Sequence, residues 1–163
     1  MENILLVARM YSFVWKIRIV YFSVKHSYLC NKQCFKWAVT TAVFAAKNYP
    51  ERITKIMKIN SEKFNWDKIE FHVQLDKIYK FAKNNPNYGI NVYGYKNEQL
   101  YPLRISKNEI IEHTLNLLII SNKKANLYCG IKNISRILST QVNNNGHQRY
   151  YCERCLNSFW NNK

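Results

Sequence analysis

The sequence has few acidic residues, and this shortage bears on the partners that it can bind. Ten Asp and Glu residues stand against 25 Lys and Arg residues, so the formal net charge is +15 over 163 residues. Such a balance favours an anionic partner, and nucleic acid is the commonest one. A basic protein without a specific ligand is the alternative. The hydrophobic share of 47% is enough for a core and argues against general disorder.

The sequence also lacks a long uncharged apolar run, although its first 29 residues are mostly apolar. Four basic residues interrupt this segment: Arg9, Lys16, Arg18 and Lys25. No run therefore reaches the roughly 18 residues that a membrane span requires. A signal peptide is disfavoured because Glu2 lies in the part that should be basic and no small-residue cleavage site follows. Residues 1–29 are interpreted as an apolar extension, either one or two native strands or a foreign addition.

The five cysteines do not have the arrangement of a disulfide framework. Their number is odd, and their spacings are irregular: Cys30, Cys34, Cys129, Cys152 and Cys155. We therefore expect free thiols in a reducing compartment. This predicts an intracellular protein, with the nucleus as one candidate location.

Helical periodicity precedes strand-like alternation along the chain. Helices are predicted over residues 34–47, 51–64, 75–85 and 133–141. Strands are predicted over residues 69–73, 90–95, 101–106, 114–121 and 126–132. The mostly apolar run 114–121 suits a central buried strand. Helices followed by strands predict an α+β domain with a mostly antiparallel sheet over residues 30–142. A separate hairpin is predicted over residues 143–163.

Several short motifs occur in an order that resembles one family. They are "CFKWAV", "INVYGY", "YPLRIS", "LNLLIIS", "YCGIKNISRILSTQ" and "RYYCERCLNSF". Over residues 30–160 they resemble the region ahead of the polymerase domain in protein-primed type B DNA polymerases of Maverick or Polinton elements, which are virus-like transposons. The resemblance implies a fragment or decayed copy of a replication protein. Polymerase activity does not transfer, because the acidic polymerase and exonuclease motifs are absent.

The stretch "YYCERCLNSFW" carries half of a zinc-finger pattern. Cys152 and Cys155 have the spacing of a first ligand pair, and Tyr150 and Phe159 stand where a finger keeps its small core. In the family that the chain resembles, this segment begins a Cys2His2 finger. The hairpin is therefore interpreted as a truncated zinc finger.

The second ligand pair of such a finger is missing from the sequence after Cys155. His147 is a candidate third ligand, and Cys129 is a remote fourth. Because two ligands seldom hold zinc tightly, we expect an incomplete zinc site. A remnant hairpin with two free thiols is the alternative.

Cys34 is the candidate nucleophile. It lies at the predicted start of a helix, where the helix dipole favours a thiolate. Papain-like and OTU-like peptidases place their cysteine in the same way and add a His on a later strand. Here Leu127 occupies the expected position of that His, and His72 and His113 are poor substitutes. We therefore predict no peptidase activity, and a buried Cys34 packed beside Trp37 is the alternative.

Basic residues cluster at three places along the sequence. The clusters are Lys77, Lys80 and Lys83 on one helix, then Lys123, Lys124, Lys132 and Arg136, then Arg149 and Arg154 near the hairpin. Phosphate neutralisation needs only point charges along a surface, and no base-reading motif is present. The sequence predicts a non-catalytic nucleic-acid-associated module without a small-molecule substrate. The rivals are an inactive papain/OTU-like fold and a decayed fragment without function.

Overall fold

Helices precede strands over much of the chain, as the sequence predicts. A computed structural model describes residues 20–21, 33–44, 53–97, 99–107, 112–121, 126–142 and 150–159. The helices are α1 (Cys34–Val43), α2 (Lys55–Ser61), α3 (Ile78–Asn84) and α4 (Ile134–Val142), with a 3₁₀ turn over Leu75–Lys77. The strands are β1 (Val20–Tyr21), β2 (Tyr88–Lys96), β3 (Gln99–Arg104), β4 (His113–Ser121), β5 (Asn126–Ile131), β6 (Tyr150–Tyr151) and β7 (Ser158–Phe159). Among these residues, no helix has the length and apolar content needed to cross a bilayer.

Five strands form one sheet in the order β1-β5-β4-β2-β3. Strands β2 and β4 run parallel, and the other neighbouring pairs are antiparallel. The predicted α+β class with a mostly antiparallel sheet is confirmed. Strand β4 is central in the sheet, and its residues Leu115, Leu117, Leu118 and Ile119 are buried, as the apolar run predicts. Strand β1 shows that part of the N-terminal extension pairs with β5 at the sheet edge.

One face of the sheet is covered by α1 and α3. Because successive side chains of a strand point to opposite faces, alternate residues of β4 and β5 reach this side. The core on this face includes Phe35, Val39, Ile78, Phe81, Leu115, Leu117 and Tyr128. The ring of Phe35 packs edge-on against Tyr128 at 5.2 Å and against Phe81 at 5.7 Å between ring centroids, a geometry that aromatic pairs prefer. The helices that carry Cys34 and the lysines of α3 therefore lie on the same side.

The other face of the sheet is covered by α4 and the hairpin β6–β7. A second core lies here and includes Tyr93, Leu118, Cys129, Ile131, Ile134, Ile137, Leu138 and Tyr151. The C-terminal hairpin is thus packed on the sheet through the buried Tyr151. The zinc-finger character of this hairpin stays a prediction, and residues 143–149, where its boundary is predicted, lie outside the described residues.

The predicted strand over residues 69–73 is wrong, because this segment is an irregular loop with bends at Phe71 and His72. Val73 is buried, and Ile69 and Phe71 pack against the first core, whereas Glu70 and His72 are exposed. The alternation of apolar and polar residues therefore predicts correctly which side chains of this segment are buried and which are exposed. It gives no strand, because a strand also needs a neighbour with which to exchange hydrogen bonds.

The helix predicted over residues 51–64 is shorter than expected. It begins after Thr54, whose side chain accepts a hydrogen bond from the backbone N–H of Met57 at 3.2 Å, as an N-cap does. Its isoleucines do not form a buried stripe. Met57 is buried, whereas Ile56 and Ile59 are 70% and 63% exposed.

Candidate functional site

Cys34 is the first residue of α1, as the sequence predicts for a helix-start thiol. It is half-buried rather than fully buried, and its Sγ donates a hydrogen bond to the carbonyl oxygen of Asn126 at 3.3 Å. The cap residue is Gln33, which makes no side-chain capping hydrogen bond. Because Asn126 pairs with Ser121, Cys34 lies near the end of the sheet at which β4 finishes.

Two of the positions weighed for a base to Cys34, those of His113 and Leu127, are badly placed for that role. His113 begins β4, where it stacks on Tyr88 at 5.5 Å between ring centroids, and Ser121 ends that strand. A nine-residue strand at about 3.3 Å per residue separates these ends by about 26 Å, far beyond hydrogen-bond reach. A base at position 127 would also be out of reach, because the side chain of Leu127 packs against the second core whereas Cys34 packs against the first.

Two further groups near the thiol are held in their neutral forms by burial. Burial raises the pKa of Tyr128, and the neighbouring Cys34 raises it further. The Tyr128 hydroxyl is buried without a hydrogen-bond partner among the described residues. Burial likewise raises the pKa of the Cys129 thiol, which packs in the second core.

The hairpin holds Cys152 and Cys155 in one tight turn. The backbone N–H of Cys152 donates to the carbonyl of Asn157 at 2.9 Å, and that of Leu156 donates to the carbonyl of Cys152 at 2.8 Å. The backbone N–H groups of Cys155 and Arg154 donate to the Cys152 sulfur, and they lower the pKa of this thiol. Leu156 has φ of 60°, a left-handed value that a residue with a Cβ seldom adopts.

The geometry of this turn fits two ligands of a thiolate-bound metal. The lowered pKa of Cys152 favours the form that binds metal, and the side chain of Cys155 lies within hydrogen-bond reach of the same sulfur. Within the described ranges, however, no group of three or more His, Cys, Asp and Glu side chains comes together. His147, the candidate third ligand, lies outside the described residues. The described residues therefore bring two thiols together in one turn without a third candidate ligand beside them.

The hairpin is docked on the second face of the sheet by polar contacts. The Tyr93 hydroxyl donates to the carbonyl oxygen of Glu153 at 2.5 Å. The Arg154 guanidinium donates to the carbonyl oxygen of Ser106 at 3.0 Å. Arg154 was predicted from the sequence to lie on a nucleic-acid surface. In the structure its contact with Ser106 anchors the hairpin to the rest of the domain.

The three lysines of the first basic cluster lie around α3 on the outer side of the first core. Ile78 and Phe81 are fully buried beneath them. Lys77 and Lys83 are exposed and Lys80 is half-buried. Lys77 forms an ion pair with Asp76 at 3.4 Å between Nζ and Oδ2. Burial of the apolar side thus turns the lysines of this helix toward solvent, as helical spacing predicts.

The described members of the second basic cluster, Lys132 and Arg136, lie on the opposite side of the sheet. Lys132 lies just before α4 and Arg136 lies on it, and both are exposed. The apolar side of α4 packs into the second core. The sheet therefore separates them from the lysines of α3. The remaining predicted residues, Lys123, Lys124 and Arg149, lie outside the described residues.

Sequence reasoning missed one lysine that belongs with the α3 group. The Asn84 side chain at the end of α3 donates to the carbonyl oxygen of Asp67 at 2.7 Å. This contact brings the loop that contains the exposed Lys68 to the same end of α3 as Lys83. No sequence pattern predicted the contact, because it joins two positions that are 17 residues apart.

No protein-family model, curated protein or solved structure matches this chain.

Proposed function

We propose that this chain is a non-catalytic module that associates with nucleic acid through the outer surface of α3. The observation that carries the proposal is the burial of Ile78 and Phe81, which directs Lys77, Lys80 and Lys83 outward. Lys68 extends this surface at the end of the helix. We call these four lysines the α3 surface.

The electrostatics of the α3 surface support phosphate binding rather than internal pairing. Within the described residues, Lys77 is the member that pairs with a carboxylate, at 3.4 Å. The other three ammonium groups are available to phosphates, which release counterions when they bind. Three or four such contacts give a slope of about −3 in log affinity against log salt on duplex DNA.

A peptidase is the weaker proposal for the same structure. Cys34 has the helix-start position that such an enzyme uses, but its sulfur donates to a backbone carbonyl. His113 is about 26 Å from the end of β4 near which Cys34 lies, so it cannot accept the thiol proton. This geometry favours a structural Cys34.

We also propose that Cys152 and Cys155 are the first ligand pair of an incomplete zinc site, which is too small a set to hold the ion tightly. The backbone hydrogen bonds to the Cys152 sulfur favour the thiolate at this turn. His147 is the candidate third ligand, and the zinc titration described in the Discussion tests this proposal.

The origin of the chain in a virus-like DNA transposon is likewise a proposal. The order of its motifs supports it, and those motifs fall on α1, on four strands of the sheet, on α4 and on the hairpin. The genomic sequence that follows Lys163 tests the idea. A continuing frame with zinc ligands and then acidic polymerase motifs would support it, and an unrelated frame would contradict it.

The surface proposal is tested by charge reversal on each side of the sheet. Lys80→Glu with Lys83→Glu should weaken binding to unrelated duplexes and single strands to the same degree, because phosphate contacts carry no base information. The matched control is Lys132→Glu with Arg136→Glu, the same charge change on the opposite side. Equal losses from both pairs, or none from the first, would contradict the proposal.

A further inference from the structure

The turn between β6 and β7 brings two cysteine side chains together at the surface. The backbone N–H of Leu156 donates to the carbonyl oxygen of Cys152 at 2.8 Å, so Cys152 and Cys155 belong to one closed turn. The side chain of Cys155 lies within hydrogen-bond reach of the Cys152 sulfur. Cys155 is exposed and Cys152 is half-buried, so a reagent in solution can reach the pair.

The spacing of these two cysteines fits a disulfide as well as a pair of metal ligands. Residues three apart in a tight turn have Cα atoms within about 7 Å of each other, and the Cα atoms of a disulfide are about 4.4–6.8 Å apart. Because the sulfurs are already neighbours, the bond can form by side-chain rotation and a small movement of the turn. Cys34 and Cys129 are arranged differently, since Cys34 packs against the first core and Cys129 lies in the second core.

The two residues between the cysteines make the polar contacts that dock the hairpin on the sheet. The carbonyl oxygen of Glu153 accepts a hydrogen bond from the Tyr93 hydroxyl at 2.5 Å. The Arg154 guanidinium donates to the carbonyl oxygen of Ser106 at 3.0 Å. A bond between the two sulfurs joins the ends of this four-residue stretch and turns the peptide groups inside it. Oxidation of the pair therefore competes with the docking contacts.

We propose that Cys152 and Cys155 are a reversible thiol–disulfide pair whose reduced form docks the hairpin more tightly. Disulfides of reducing compartments are usually transient, and they serve catalysis or redox sensing. No catalytic set accompanies this pair among the described residues, so its role is that of a switch. The state of the switch is read by the position of the hairpin on the second face of the sheet.

The oxidant is a small-molecule disulfide of the glutathione type. One cysteine, as its thiolate, attacks a sulfur of this disulfide, and one glutathione thiolate leaves. The second cysteine loses its proton and attacks the mixed disulfide, which closes the bond between Cys152 and Cys155 and releases the second glutathione. The two cysteines give up two electrons, which the glutathione disulfide gains, and two protons, which the two released thiolates take up.

Equilibration of the metal-free protein in buffers with graded ratios of reduced to oxidised glutathione tests the pair. After alkylation of the free thiols, peptide mass spectrometry should show that Cys152 and Cys155 lose reactivity together and become linked to each other. Cys152→Ser should instead leave Cys155 in a mixed disulfide with glutathione. Cys34→Ala is the matched control and should leave the equilibrium constant of the pair unchanged. Full alkylation of both cysteines in the most oxidising buffer would overturn the proposal.

Tyr93→Phe tests the coupling of this pair to docking, because linkage between two equilibria is reciprocal. A disulfide that weakens the Tyr93 contact must form more easily when that contact is already absent. The equilibrium constant for disulfide formation should rise about two- to tenfold, the factor that corresponds to one hydrogen bond. Tyr79→Phe should leave the constant unchanged, since Tyr79 is exposed on α3. A constant that Tyr93→Phe leaves unchanged or lowers would overturn the coupling.

Discussion

Replacing Tyr93 with phenylalanine isolates one contact between the hairpin and the sheet. The ring of Tyr93 is fully buried, and phenylalanine keeps that ring and its packing. The change removes the hydroxyl that donates to Glu153 at 2.5 Å and lies 3.2 Å from the side-chain oxygen of Asn116. The Glu153 carbonyl then loses its donor from the sheet.

The expected loss of stability has two sources, the lost hydrogen bond and the acceptor that is left without a donor. A typical hydrogen bond contributes about 0.5–1.5 kcal/mol, and a buried acceptor without a donor costs about 1–3 kcal/mol. Glu153 is half-buried, so water can partly replace the donor. We expect Tyr93→Phe to lower the free energy of unfolding by about 1–2 kcal/mol.

Urea unfolding and amide hydrogen exchange together measure this effect. The exchange of the Leu156 amide, which donates to Cys152 at 2.8 Å, should accelerate because the hairpin opens locally more often. Tyr79→Phe is the control, since Tyr79 is 54% exposed and should change neither quantity. Unchanged stability and unchanged exchange in Tyr93→Phe would refute the reasoning that this hydroxyl docks the hairpin.

Three other predictions concern the zinc half-site, the thiol and the first core. A metal titration of the chain should show no tight zinc uptake, and stoichiometric tight uptake that Cys152→Ser abolishes would contradict this expectation; His147→Ala would then test the third ligand. Peptide and ubiquitin-like substrates should not be cleaved, and turnover that disappears in Cys34→Ala would show that a base reaches this thiol. Phe81→Ala should lower the free energy of unfolding by about 3–5 kcal/mol in urea titrations, and a loss below about 1 kcal/mol would mean that α3 does not pack as described.

A strand could be predicted from the sequence where a segment has the apolar pattern of a strand and also pairs with neighbouring strands. The apolar run 114–121 predicted a central strand because a strand with neighbours on both sides and a core on each face must be apolar throughout. Residues 69–73 show the limit of the same reasoning. Their alternation matches burial, but no strand of the described part of the chain pairs with them, and pairing depends on residues far away in the sequence.

The exposure of the lysines around α3 was predictable from the sequence, whereas the addition of Lys68 and the placement of the other basic residues were not. The sequence predicted Lys80 and Lys83 on one helix, and in the structure Lys83 is exposed and Lys80 half-buried while Phe81 is fully buried. The separation of Lys132 and Arg136 from this group depends on which face of the sheet α4 covers, and no local pattern specifies that face. The docking of Arg154 on Ser106 was missed for the same reason, since 48 residues separate them.

The salt dependence of nucleic-acid affinity tests the central claim most directly. Anisotropy titrations with an arbitrary duplex at several salt concentrations should give a slope of about −3 for the unmodified protein. With Lys80→Glu and Lys83→Glu together, the slope should fall to about −1, because each lost phosphate contact removes about 0.9. A slope near zero, or one that the two reversals leave unchanged, would contradict the account of the α3 surface as a phosphate-binding site.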